Sequence, residues 1–129
     1  MRDIAFVFFL AAVLCVSAGM IWGIQMAISQ DRLLSGAHVH LNLVGWTTMA
    51  LFGLYHRLTP VAAATFLARL HAGIAILGVL VMVPGIAIAI TTRAPGLAAA
   101  GALLTALSMA IFLITVLRHG FGAPSTPRV

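Results

Sequence analysis

Residues 4–28 read IAFVFFLAAVLCVSAGMIWGIQMAI, a stretch that contains no charged side chain. A helix that crosses the hydrocarbon core of a bilayer needs about 20 predominantly apolar residues, and this stretch exceeds that length. Arg2 precedes it and residues 16–18 resemble a cleavage site, as in a secretory signal peptide. The apolar part of a signal peptide, however, spans only about 7–15 residues. The sequence therefore predicts a first transmembrane helix over residues 4–28.

Three further stretches have the same apolar character and a sufficient length. They are residues 36–58, 67–90 and 96–118. Pro84 and Gly85 interrupt the third span, where neighbouring helices tolerate a kink. Because the connections are short, consecutive helices are expected to pack as antiparallel neighbours. The sequence thus predicts an all-α membrane protein with a single four-helix bundle over residues 1–120 and a flexible tail over residues 121–129.

The composition of the chain agrees with a membrane environment. Of its 129 residues, 63% are hydrophobic and 7% are charged, with a mean hydropathy of +1.18, whereas about a quarter of the residues of a soluble domain are charged. A lipid bilayer is therefore the expected surrounding, as for a multi-pass protein of a bacterial-type inner membrane. The net charge of +5 comes without the basic stripe of a nucleic-acid interface, so nucleic acid is not an expected partner.

The arginines predict the orientation of the helices. With four spans, five of the seven arginines fall on one side of the membrane, whereas Arg32 and Arg93 fall on the other. The five are Arg2, Arg57, Arg69, Arg118 and Arg128. Positively charged residues are enriched in cytoplasmic loops, so both termini are expected in the cytoplasm. The loop around residue 30 then faces outward.

Few side chains in the sequence can carry chemistry. The two carboxylates, Asp3 and Asp31, both lie at predicted helix ends, which excludes a catalytic carboxylate pair and an oxygen cage for calcium or magnesium. No nucleophile–base triad is recognisable, and the single cysteine, Cys15, precludes an intramolecular disulfide. Five histidines remain, and ionisable residues in membrane segments are functional candidates by default.

His38 and His40 open the second predicted helix at its outer end. Residues two positions apart on an α-helix point about 200° from each other, so the two rings cannot bind one metal from the same face. They can bind two metals on opposite sides, or serve two neighbouring chains. A neutral imidazole can serve as an axial ligand of haem iron, so haem is one ligand that this pair could bind. Polar tethers at the membrane interface, without a cofactor, are the alternative.

The segments AHVHLNLVGW (residues 37–46) and FGLYHRLTP (residues 52–60) resemble the haem-ligating helices of subunit I of the haem–copper oxidases. This family includes cytochrome c oxidase and the large subunit of nitric oxide reductase. The first segment is similar to the Ala-His-x-His motif of one such helix and to a His-x-Asn-Leu stretch of another. The resemblance implies that His38 and His40 bind haem iron, the first a high-spin and the second a low-spin haem. It also implies that Asn42 and Trp46 lie beside the cofactor.

The resemblance is incomplete. The oxidases hold a copper ion with three histidines, whereas this chain has no His-His pair for such a site, and Tyr55 lies at the far end of its helix from His38. No copper site is readable, and full reduction of oxygen to water is not expected. The expected function is electron transport through haem b, with quinol or a cytochrome as redox partner. If the chain is an enzyme, it is a haem-dependent membrane oxidoreductase. A non-catalytic scaffold, a haem-based sensor and a small transporter are alternatives.

Four residues gather at the cytoplasmic side in this topology: His56, Arg57, Arg69 and His71. His40 and His56 are separated by about 24 Å along a helix, too far for one cofactor to join them. The four residues are candidates for a quinone site, or for interface anchors that snorkel towards the head groups.

The divergence of His38 and His40 also predicts self-association. A six-coordinate haem then needs a histidine from a second chain. Each chain can give His40 to one haem and His38 to the next, which closes a ring through heterologous contacts. The oxidase core has twelve helices in three arcs of four, so the resemblance implies a homotrimer with haem at each subunit contact. A two-fold dimer with two haems is the alternative.

Overall fold

The computed structural model describes residues 3–124, and within that range every regular element is a helix. In chain order the elements are α1 (Ile4–Ser29), α2 (Ser35–His40), a π-helical segment (Leu41–Thr48), α3 (Met49–Leu58), α4 (Pro60–Ala63), α5 (Phe66–Thr92) and α6 (Gly96–His119). The predicted all-α class is therefore confirmed for the described residues.

Three of the four predicted spans are regular α-helices. Helices α1, α5 and α6 are long and apolar enough to cross a membrane, which confirms a multi-pass membrane protein. Large apolar side chains remain exposed on all three, including Ile21, Leu80 and Leu103. These exposed surfaces are suited to contact with lipid rather than water.

The second predicted span has a different form. Helix α2, the π-helical segment and α3 follow one another without a break, and we call this continuous stretch, residues 35–58, the interrupted helix. Within it, the hydroxyl of Thr48 donates to the carbonyl oxygen of Leu43, five residues earlier, at 2.8 Å. That the interrupted helix forms a fourth crossing of the membrane remains a prediction.

Helices α1 and α5 begin and end at residues that cap them. The Asp3 carboxylate accepts from the amide of Phe6 at 2.9 Å, and the Thr65 hydroxyl accepts from the amide of Ala68 at 3.2 Å. At the other ends, Gln30 and Arg93 follow α1 and α5 in the left-handed conformation, with φ of 57° and 58°. Such caps satisfy groups that a helix cannot bond internally.

Helices α5 and α6 form a tight antiparallel hairpin around two glycines. A Cβ atom at Gly85 would lie 2.5 Å from the backbone nitrogen of Ala98, and one at Gly101 would overlap the backbone of Met82. The two helices thus pack backbone to backbone, as small residues permit in membrane proteins. A turn at residues 93–95 connects them.

Glycines also bring the interrupted helix against α1. A Cβ atom at Gly53 would lie 3.1 Å from the carbonyl oxygen of Ala5, and one at Gly45 would lie 2.9 Å from the sulfur of Cys15. The main core fills the space where α1, α3 and α5 meet, and Phe8 is fully buried there.

The segment after α6 is bonded to α3 and to Thr59, which lies between α3 and α4. Tyr55 donates its hydroxyl hydrogen to the carbonyl oxygen of Gly120 at 2.7 Å, and the amide of Gly122 donates to the hydroxyl of Thr59 at 3.0 Å. The predicted flexible tail, residues 121–129, thus has one of its first residues, Gly122, hydrogen-bonded to the rest of the protein. Its residues 125–129 lie outside the described range.

The packing of α5 on α6 makes Gly101→Ala a sharp test of the fold. The added methyl group must displace the Met82 backbone, so we expect a loss of about 1–3 kcal/mol in unfolding free energy, as for other overpacked sites. Gly73→Ala is the matched control, because nothing lies within 4 Å of its added Cβ. Thermal unfolding of the detergent-solubilised variants measures the difference, and equal melting temperatures would contradict the close contact.

Candidate functional site

His38 is held against α1 by its own ring. Its Nε2 atom lies 2.9 Å from the carbonyl oxygen of Gly19, so in the tautomer that carries hydrogen on Nε2 the ring donates to that oxygen. Gly23 leaves space for the ring, because a Cβ there would lie 3.2 Å from Nε2. Trp22 packs edge-on against the imidazole, with ring centroids 5.8 Å apart. The side chain is half-buried and connects two helices.

His40 is exposed and has one nitrogen committed to its own helix. Its Nδ1 lies 2.7 Å from the carbonyl oxygen of Gly36, one turn earlier. If Nδ1 carries the hydrogen, it donates to this oxygen, and Nε2 is left with a free lone pair. No described residue forms a hydrogen bond with His40 Nε2. A backbone acceptor of this kind is the usual second partner of a metal-binding histidine.

The structure therefore separates the two predicted haem ligands by environment. His38 faces α1 with its Nε2 engaged, whereas His40 lies on the exposed surface of α2. This agrees with the expectation that they do not bind one metal from the same face.

Asn42 and Trp46, the other predicted haem-site residues, both lie in the π-helical segment. The Asn42 amide nitrogen donates to the carbonyl oxygen of His38 at 3.1 Å and lies 3.2 Å from its Nε2. Trp46 is half-buried and packs against the main core. Hydrophobic periodicity gives no sign of π-helical geometry, so sequence reasoning missed this feature. Short π-helical segments frequently occur at functional sites.

A buried pair of histidines lies at the other end of the interrupted helix. His56 on α3 and His71 on α5 are 1% and 0% exposed, and their ring centroids lie 6.2 Å apart. All four ring nitrogens are buried without a hydrogen-bond partner among the described residues. The interpretation as snorkelling anchors is wrong for these two histidines, because neither ring reaches the surface.

Aromatic rings surround this pair, which we call the histidine pair. Phe8 stacks on His56 with centroids 5.5 Å apart and lies 4.9 Å from His71. Phe52 and Phe112 contact His71 at 4.5 and 5.7 Å. The sequence contains no local signal for this chamber, because Phe8, Phe52 and Phe112 lie on three different helices. Only the packing of α1, α3, α5 and α6 brings them around the two histidines.

The two arginines of the predicted cytoplasmic group lie on the exterior instead. Arg57 forms an ion pair with Asp3 at 3.1 Å, with both side chains substantially exposed, and Arg69 is exposed on α5. An open cavity of about 250 Å³ lies beside the start of α1, the end of α3 and α4. Its lining consists of Asp3, His56, Arg57, Pro60, Ala63 and Ala64. Neither Arg69 nor His71 lines it, and a quinone site involving all four predicted residues remains a prediction.

Among residues 3–124, no group of three or more histidine, cysteine or acidic side chains converges on one point. Searches against protein-family models, curated proteins and solved structures find no match to this chain. The site must therefore be interpreted from its own geometry.

The bond between His38 and Gly19 predicts different roles for the two outer histidines in haem-free protein. His38→Ala removes a half-buried interhelical hydrogen bond and its packing on Trp22, so we expect a loss of about 1–2 kcal/mol in unfolding free energy. His40→Ala removes only an exposed bond within one helix turn and should change stability little. Thermal unfolding in detergent compares the two, and an equal loss would refute the distinction.

Proposed function

We propose that this chain is a haem b-binding membrane protein that carries electrons, with His40 as an axial ligand of the iron. The observation that supports this most is the geometry of His40, an exposed imidazole whose Nδ1 is held by the Gly36 carbonyl. That bond leaves Nε2 for iron and orients the ring, which are the two conditions for an axial ligand. The resemblance of residues 37–46 to haem-ligating helices of the haem–copper oxidases supports the same function.

His38 is proposed as the second ligand, given to a different haem. Its hydrogen bond to Gly19 must then be exchanged for a bond to iron. The net contribution of such a hydrogen bond is only about 0.5–1.5 kcal/mol, so the exchange is not prohibitive. The bond from the Asn42 amide to the His38 carbonyl oxygen, at 3.1 Å, can be kept during this exchange.

The proposed assembly follows from this division of ligands. With His40 exposed and His38 turned towards α1, one chain does not offer two axial ligands to one iron. A homotrimer in which each haem joins two chains satisfies both histidines. A two-fold dimer with one haem between two His40 side chains is the second candidate, because it leaves the bond between His38 and Gly19 intact.

The redox partners are proposed from the membrane topology. If the interrupted helix forms a fourth span and both termini are cytoplasmic, His40 lies near the outer surface of a bacterial-type inner membrane. Electrons would then pass between quinol in the bilayer and a cytochrome outside it. The chain would act as an electron carrier or as part of a haem-dependent oxidoreductase, without the three-histidine copper site that oxygen reduction to water requires.

A scaffold without cofactor is the candidate from a different class. The bond between His38 and Gly19 favours it, because it gives that histidine a purely structural role. The two functions differ in colour, since a haem protein has a Soret band and a scaffold has none.

The proposed ligation predicts the absorption spectra of histidine variants. His40→Ala should abolish the low-spin haem spectrum of the detergent-purified protein or convert it to a high-spin one, because an axial ligand is lost. His119→Ala is the control, since it removes a histidine at the end of α6 and should leave the spectrum unchanged. A colourless wild-type protein, purified from haem-sufficient cells and still colourless after hemin addition, would support the scaffold.

The proposed assembly predicts the mass of the intact complex. Native mass spectrometry in detergent should find three chains with three haems, because each chain supplies one His38 and one His40. A mass of two chains with one haem would support the two-fold dimer instead of the ring of three. A monomer that carries haem with two axial histidines would contradict both assemblies.

A further inference from the structure

We propose that the histidine pair, His56 and His71, binds one Cu(I) ion inside the aromatic chamber between α1, α3, α5 and α6. This site is separate from the proposed haem site, and it does not depend on the function proposed above. It was not predicted from the sequence, in which no copper site is readable.

The distance between the two rings fits a bridging ion. If each ring gives one nitrogen to the same metal at about 2.0 Å, two opposed imidazoles have centroids roughly 6 Å apart. The observed centroid distance is 6.2 Å. The angle of 54° between the ring planes is compatible with this arrangement, because a ring can rotate about its metal–nitrogen bond.

The chemistry of the chamber calls for a ligand. A buried polar atom without a hydrogen-bond partner costs about 1–3 kcal/mol, and the histidine pair has four such nitrogens. A bound cation would satisfy one nitrogen of each ring. Binding would therefore remove about half of this cost, because one nitrogen of each ring would be bonded.

Several other ligands fit the chamber less well. Calcium and magnesium require oxygen ligands, and a structural zinc site takes four protein ligands, whereas only two imidazoles converge here. A haem would need a planar gap between the rings, but Phe8, Phe52 and Phe112 contact His71 with centroids 4.5–5.7 Å away.

The charge of the surroundings favours a monovalent ion. The aromatic rings supply no negative charge to compensate a divalent cation, and burial of uncompensated charge is expensive. Asp3 is the nearest carboxylate along the cavity, and it is paired with Arg57. Among redox-accessible metals that imidazole binds, Cu(I) carries a single charge and accepts two nitrogen ligands.

The open cavity provides an access route. His56 lines it together with Asp3 and Arg57, whereas His71 does not. An ion that arrives from this side meets His56 first and then His71 behind it.

The test is anaerobic titration of the full-length, detergent-purified protein with Cu(I) against a chromogenic Cu(I) chelator, with and without haem. We expect one Cu(I) per chain in both forms. His56→Phe and His71→Phe should each weaken binding at least tenfold, whereas Cys15→Ser, which removes the single thiol of the chain, should bind as the wild type does. Phenylalanine retains a ring among the aromatic neighbours, and circular dichroism verifies the helical fold of each variant.

X-ray absorption of the wild-type Cu(I) complex provides a test that needs no variant. We expect two nitrogen ligands with imidazole scattering and no sulfur. Absence of stoichiometric Cu(I) binding, retention of it in folded His56→Phe/His71→Phe protein, or a sulfur-dominated spectrum would each overturn the proposal. If a water molecule bridges the two rings in place of the ion, the titration will show no stoichiometric Cu(I) binding. Because the haem spectrum is recorded separately, failure of this site leaves the proposed haem function untouched, and the reverse also holds.

Discussion

Backbone hydrogen bonding without water is the constraint on which the rest of this structure depends. In lipid, every amide and carbonyl must find its partner within the protein, and the long helices of this chain meet that requirement along their length. Their ends are the exceptions, and there Asp3 and Thr65 supply side-chain oxygens to free amides. With the backbone satisfied in this way, the surface can be apolar and the few polar side chains become the features that distinguish one region from another.

The histidines show how differently this environment treats the same side chain. His38 bonds across to α1, and His40 bonds within its own helix while its second nitrogen stays available. His56 and His71 have no hydrogen-bond partner among the described residues. The available nitrogen at one end is exposed and can be reached by a ligand from outside the chain. The nitrogens at the other end are enclosed and suited only to a ligand as small as an ion.

The π-helical segment connects these two ends. Each residue added to a helix turns the following positions by about 100°, so wider turns over Leu41–Thr48 change the direction in which α3 presents its side chains. Gly45 lies within this segment and Gly53 beyond it, and both contact α1 closely. The altered turn therefore helps to direct His56 inward, towards Phe8 and His71, while His40 before the segment stays on the exposed surface.

The sequence by itself determined the all-helical class, three of the membrane spans and the restriction of chemistry to histidine, because these follow from local hydropathy and composition. It also identified residues 36–58 as the helix that carries most of the candidate site. Only the tertiary structure decided that His38 is tied to α1, that Arg57 pairs with Asp3 and that His56 meets His71 in an aromatic chamber. Helical periodicity describes one helix at a time, whereas these contacts join residues that are 15 to 54 positions apart in the chain. They depend on which glycines let two backbones approach and on a π-helical segment that leaves no mark in the hydrophobic pattern.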